Sequence, residues 1–136
     1  MPRSDAAAPC CNTRSPRCAC VSSHAVIARI PDVFVLPLVD GRRPRRFDEV
    51  SRLVLAVEIL STTTARADRV AKRTLFREEG VLEYWVVDLD ARTIERSTPA
   101  DARVDVLDAR IQWRPEGALT SLSIDLADYF RRVIDD

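Results

Sequence analysis

An α/β fold, a mixed sheet flanked by helices, is what this sequence predicts, and three observations carry the prediction. Residues Arg52 to Leu60 form an almost unbroken apolar run, as a central strand covered on both faces requires. A helical pattern follows from about Ala65 to Glu79 and stops at Gly80, which suits a C-terminal cap. Glu83 to Leu89, with Tyr84, Trp85, Val86 and Val87 inside it, then reads as a second strand.

The elements follow in chain order. Met1 to Ser23 has no helical or strand periodicity and is rich in Ala, Pro, Ser and Arg, so residues 1–25 read as a tail without regular structure and 26–136 as one domain. Val26 to Ile30 and Asp32 to Leu36 are candidate strands, the second ended by Pro37. Asp40-Gly41-Arg42-Arg43-Pro44-Arg45-Arg46 is a turn-rich connection. After the central strand, Ser61-Thr62-Thr63-Thr64 offers N-cap hydroxyls for the helix. Periodicity sets Ala67, Val70, Ala71, Thr74 and Leu75 as that helix's buried stripe, with Asp68 and Lys72 on its shoulder. Asp90-Ala91-Arg92 turns the second strand into Thr93 to Arg96. Val104 to Leu107 and Ile111 to Arg114 read as another hairpin around Asp108-Ala109, and Ile124 to Ile134 as a closing helix with Leu126, Tyr129, Phe130 and Val133 on one face.

Composition narrows the function. At 136 residues, 46% hydrophobic and 31% charged, the chain is an ordinary globular domain. Its 21 basic and 21 acidic residues balance, so no global field draws it to nucleic acid and any such contact must be local. No stretch reaches the roughly 20 apolar residues of a membrane span, and the N-terminus lacks the apolar core of a secretory signal; a cytoplasmic location is the default. Cys10, Cys11, Cys18 and Cys20 lack the paired C-x2-C spacing of zinc modules, and His24 stands alone at the border of the tail.

Two carboxylates stand out because their surroundings are apolar. Alternation puts Leu53, Leu55, Val57 and Ile59 on one face of the central strand and Val54, Ala56, Glu58 and Leu60 on the other, so Glu58 projects from an apolar face. Asp32 opens the strand that carries Phe34 and Leu36 on its own side. A carboxylate so placed needs a cation or a proton to offset its lost hydration. If the two strands pair, both acids meet at one end of the sheet, where a hard divalent cation takes oxygen ligands. Lys72 is the only lysine beside 20 arginines, and its compact ammonium could orient water and stabilise developing negative charge. The plainer reading is a turn-forming Pro-Asp pair and a glutamate matched with an arginine.

The segments Pro31-Asp32-Val33, Val57-Glu58-Ile59-Leu60-Ser61, Asp68-Arg69-x-x-Lys72-Arg73 and Glu79-Gly80-Val81-Leu82-Glu83-Tyr84-Trp85-Val86-Val87-Asp88 occur here in that order. Together they resemble the Uma-two family of putative restriction endonucleases, within the PD-(D/E)XK nuclease superfamily, from roughly Ile30 to the C-terminus. The resemblance implies a restriction-endonuclease-like mixed sheet, metal-dependent hydrolysis of DNA phosphodiester bonds, and Mg²⁺ or Mn²⁺ as cofactor. It implies Asp32 and Glu58 as metal-binding acids, the carbonyl of Ile59 as a further ligand, and Lys72 as the catalytic lysine. The superfamily's usual lysine would fall at Leu60, which cannot serve. Asp68 matches a frequent family acid, and Phe76 replaces a frequent tyrosine. Relatives carry about fifty further residues ahead of the Pro-Asp, so the N-terminal region is expected to be shortened or altered.

Three functions compete on these grounds. The first is an Mg²⁺-dependent DNA endonuclease, with a homodimer as a candidate assembly and Arg42, Arg43, Arg45 and Arg46 touching phosphates. The second is a catalytically inactive nuclease-fold domain that acts, if at all, by binding. The third is a small metal module built on the cysteines.

Overall fold

A computed structural model describes residues 31–60 and 66–135. The expected tail, the four cysteines, His24, the candidate strand Val26–Ile30 and the hydroxyls Ser61–Thr64 lie outside the described residues, as does the side chain of Asp68.

The main sheet has five strands in the order β1-β2-β3-β4-β5. β1 (Val33–Val35) runs antiparallel to β2 (Leu55–Leu60), with Val33 opposite Val57. β2 lies parallel to β3 (Tyr84–Asp88), and α1 (Arg66–Glu78) makes the crossover between them. β3 and β4 (Thr93–Ser97) form the expected hairpin, and β5 (Asp105–Leu107) closes the order beside β4. Gly80 follows α1 at φ +73°, the left-handed conformation that a helix stop of this kind uses. Asp40 and Gly41, at φ +50° and +71°, turn the chain between Val39 and Arg42, which exchange two 2.9 Å backbone hydrogen bonds.

Two expectations need correction here. β5 does not pair with β6 (Arg110–Trp113); β6 pairs instead with β7 (Leu122–Asp125) in a separate two-stranded sheet. Asp108 and Ala109 carry the chain from one sheet to the other, and the Ala109 carbonyl accepts the Leu126 N–H at 3.0 Å. The closing helix consequently starts late. Residues Leu122–Asp125 are strand, and α2 covers only Leu126–Phe130, with one wider π-type turn over Arg131–Asp135. Asp125 caps it by accepting the Asp128 N–H at 3.0 Å.

Each face of the main sheet has its own core. On one, Leu55, Val57, Trp85, Val87 and Ile94 meet Ile111, Leu126 and Phe130, so the small sheet and α2 cover that side. On the other, Ala56, Tyr84 and Val86 pack with Leu53, Phe76 and Val81 beneath α1. The helix does not present its most apolar stripe. Val70, Ala71 and Thr74 are exposed, and the inward residues are Phe76 with Arg69, Lys72 and Arg73 about it. Apolar spacing misleads because the sheet under the first half of α1 is itself charged, so the helix buries cations there.

Candidate active site

The register of β1 on β2 builds the centre of the site. One step beyond the Val33–Val57 pair, Asp32 comes opposite Glu58. Asp32 is exposed at the strand's start, and its Oδ2 accepts the Ile59 N–H at 2.8 Å, so the carboxylate itself replaces a strand partner. Glu58 is buried at 7% exposure on the face that α1 covers. Lys72, midway along the helix, reaches down to it with Nζ 3.3 Å from Glu58 Oε2. The three side chains named from the sequence thus meet at one end of the sheet.

Their electrostatics are coupled. Burial pushes the Glu58 carboxyl above its usual range; Lys72 pulls it back by hydrogen bond and charge, and the neighbouring Asp32 carboxylate adds to the upward push. A cation held between the two carboxylates would relieve both the desolvation and the mutual repulsion.

The donor set suits a hard divalent ion. Mg²⁺ commonly takes one or two carboxylates and keeps several waters, and Asp32 with Glu58 supplies that number. Among the described residues no group of three or more His, Cys, Asp or Glu could hold a metal, so the pair has no third acid of its own. Ile59 bears on the same point. Its N–H turns toward the β1 edge, and its carbonyl shares that side of the strand. The register extended by two residues sets Pro31 across from it, and proline has no N–H to offer that carbonyl.

A second charged cluster, not anticipated from the sequence, lies beside the first. Arg69, one turn before Lys72 on α1, pairs with Asp88 on β3 at 2.9 Å and with Glu95 on β4. All three side chains are largely shielded from water. The Asp88 carboxyl pays a desolvation cost, yet the Ala91 N–H and Arg69 hold it below its usual range. Glu58, Val86 and Glu95 share one cross-strand row, which is why these acids sit under one helix. The signal available in the sequence was the i, i+3 spacing of Arg69 and Lys72, together with Glu95 directly after a buried Ile94.

Other expectations fall elsewhere. Leu60, the position of the superfamily's usual lysine, packs against the core beneath α1. Phe76 is buried against Tyr84, with ring centroids 4.9 Å apart, so the missing hydroxyl faces an aromatic wall. The loop of Arg42, Arg43, Arg45 and Arg46 is exposed and connects the far end of the β1–β2 pair. There Arg46 pairs with Asp48, and the Arg45 N–H meets Glu49. No helix among the described residues is long and apolar enough to cross a membrane.

Comparison with known proteins bears on the family and the fold. The chain matches the model of the Uma2 (Uma-two) family, described as "Putative restriction endonuclease", over residues 12–127. It is similar to a crystal structure of a putative nuclease belonging to DUF820 from Anabaena variabilis, at 20% sequence identity and a TM-score of 0.55. The match covers 73% of this chain and 55% of that one, so this chain spans little more than half that relative's length. The likeness establishes the nuclease-like fold. No curated protein matches.

Proposed function

Because this chain belongs to the Uma2 family of putative restriction endonucleases, we propose that it is a metal-dependent nuclease that hydrolyses phosphodiester bonds of DNA. The observation that carries the reading is the meeting of Asp32, Glu58 and Lys72, with the ammonium 3.3 Å from the buried carboxylate. Asp32 and Glu58 would hold Mg²⁺ or Mn²⁺, with the Ile59 carbonyl as a further oxygen donor. A divalent cation bound there supplies Lewis-acid polarisation of the phosphoryl oxygen and makes water a better nucleophile.

The protein groups have separate tasks. Asp32 fixes the end of β1 on Ile59 and brings the second negative charge. Burial raises the Glu58 pKa, so protons would compete with a cation for that carboxylate and cation binding would weaken as pH falls. Lys72 neutralises Glu58 at rest. With a cation held by that carboxylate, the Lys72 ammonium would orient the attacking water and stabilise the charge that builds on the phosphorane-like transition state. Arginine at this position would bring a larger, planar cation into a space that now holds a point charge.

The test is a thermal melt with and without Mg²⁺ or Mn²⁺, beside a plasmid-nicking assay, for the parent and Glu58→Ala. A ligand that binds only the folded state raises the midpoint by mass action. The parent should gain stability and nick DNA, and the variant should do neither. A parent that melts cooperatively but ignores both cations would reject the reading in favour of a folded, inactive binding domain.

A further inference from the structure

On the opposite shoulder of α1 from Lys72 lies a cleft of about 90 Å³, between the second half of the helix and the loop that joins β4 to β5. We propose that this cleft is a phosphate-binding site, distinct from the carboxylate centre, and that its physiological occupant is a backbone phosphate of nucleic acid. The proposal extends the nuclease reading by naming a place where the substrate would be held away from the bond that is cut.

Charge is the first argument. Arg69, Arg73 and Arg77 form an i, i+4 row along α1. Arg69 is neutralised by Asp88 and Glu95, but Arg77, among the described residues, donates to the Pro99 carbonyl at 2.8 Å and has no ion pair. Arg73 and Arg103 line the cleft from its two sides, and among the described residues neither has a hydrogen bond or an ion pair. The one acid in the lining, Asp101, is already engaged: it accepts the Thr98 N–H at 2.6 Å, and that bond holds its carboxyl below the usual range. Three guanidinium groups against one committed carboxylate leave a local excess of two positive charges in a chain whose overall charge is zero.

Size and chemistry are the second argument. An open cleft of about 90 Å³ has room for an oxyanion. Ser97, buried in the cleft's lining, adds a hydroxyl to the arginine forks, while the Thr98 hydroxyl already serves Asp101. Guanidinium groups and a hydroxyl around a space that admits an oxyanion are a phosphate chemistry. Because the cleft opens at the surface, a phosphate belonging to a long polymer can enter while its sugar and base stay outside.

The experiment uses the full chain without divalent cations, so the outcome does not depend on cleavage. Inorganic phosphate is titrated while the amide resonances of Ser97 and Thr98 are followed, for the parent, Arg103→Gln and the Arg73→Gln/Arg103→Gln double variant. Saturable shifts should appear in the parent, weaken about tenfold on loss of the exposed Arg103, and vanish in the double variant. Arg73→Lys, which keeps the charge, should retain most of the response. Duplex DNA binding is then measured against salt. Loss of the contacts to that one phosphate should lower the slope of log affinity on log salt by about 0.9. No phosphate response with an unchanged slope would overturn the proposal. A phosphate response with an unchanged slope would keep the site and reject nucleic acid as its occupant. Failure of every protein to bind DNA would strike the nuclease reading, while the phosphate titration would still decide the cleft.

Discussion

The two faces of the central sheet are made from alternate residues of the same strands, and they have opposite characters. One carries Leu55, Val57, Trp85, Val87 and Ile94 against Ile111, Leu126 and Phe130, with Glu83 at its edge accepting the Trp85 indole N–H at 2.7 Å and pairing with Arg96. The other begins in the same way with Ala56, Tyr84 and Val86, but then places Glu58, Asp88 and Glu95 under a helix that answers with Arg69 and Lys72. The period-2 alternation of a strand lets one segment serve both purposes. Stability resides mainly on the dry face, where apolar burial is extensive and the one shielded acid, Glu83, sits at the edge. The α1 face gives up part of that gain to keep carboxylates that can bind something.

The contrast can be broken from either side. Phe130→Ala on the dry face should have the largest effect, about 3–5 kcal/mol of stability, because a fully buried ring leaves a cavity. Urea unfolding would measure it, and the surviving folded fraction should still respond to Mg²⁺ as the parent does. A lost metal response in that fraction would show that the faces are not separable.

Lys72→Ala should leave the dry core intact and reduce turnover by roughly a hundredfold, with a much smaller change in metal affinity. Equal losses in both would remove its role in the reaction. Lys72→Arg sharpens the same point, since full activity in that variant would mean that a compact ammonium is not needed.

Arg69→Met should cost about 2 kcal/mol, because Asp88 and Glu95 would keep their charges without their shared cation. Adding Asp88→Asn and Glu95→Gln should recover most of it, and chemical denaturation of the three variants closes the cycle. No recovery would mean that Arg69 acts through packing rather than charge.

The smallest effect concerns pH. Glu58 has a folded pKa above its ordinary 4.5, so the folded state holds its proton more tightly than the unfolded chain does. Its favourable contribution is complete below 4.5 and is lost as pH rises through the folded value. Glu58→Gln lacks this dependence. The variant should therefore gain on the parent as pH is raised from 4 toward neutrality, in paired urea melts. A constant difference would show that the two states bind that proton equally.

Much of this organisation was legible in the sequence, for physical reasons that can be named. β2 was readable because a strand covered on both faces must be apolar throughout, and Glu58 was conspicuous as the break in that rule. α1 was bounded by its own local signals, the helical spacing and Gly80. What could not be read depended on partners distant in sequence. The inward face of α1 was misjudged because Arg69 is buried only by virtue of Asp88 and Glu95, 19 and 26 residues away. β5 and β6 looked like a hairpin because two residues separate them, and nothing local reveals that β7 competes for β6. The cleft between α1 and the β4–β5 loop was invisible for the same reason, since its arginines come from two segments about 30 residues apart.

One further consequence follows from the single lysine on α1. A lysine-specific protease has one place to cut in the whole chain, and that bond lies in the middle of the helix that roofs the carboxylates. Cleavage requires local unwinding, which detaches the helix from the sheet. The rate of that one cut therefore counts how often the roof lifts, and it should slow when a cation or a nucleic acid holds the helix down.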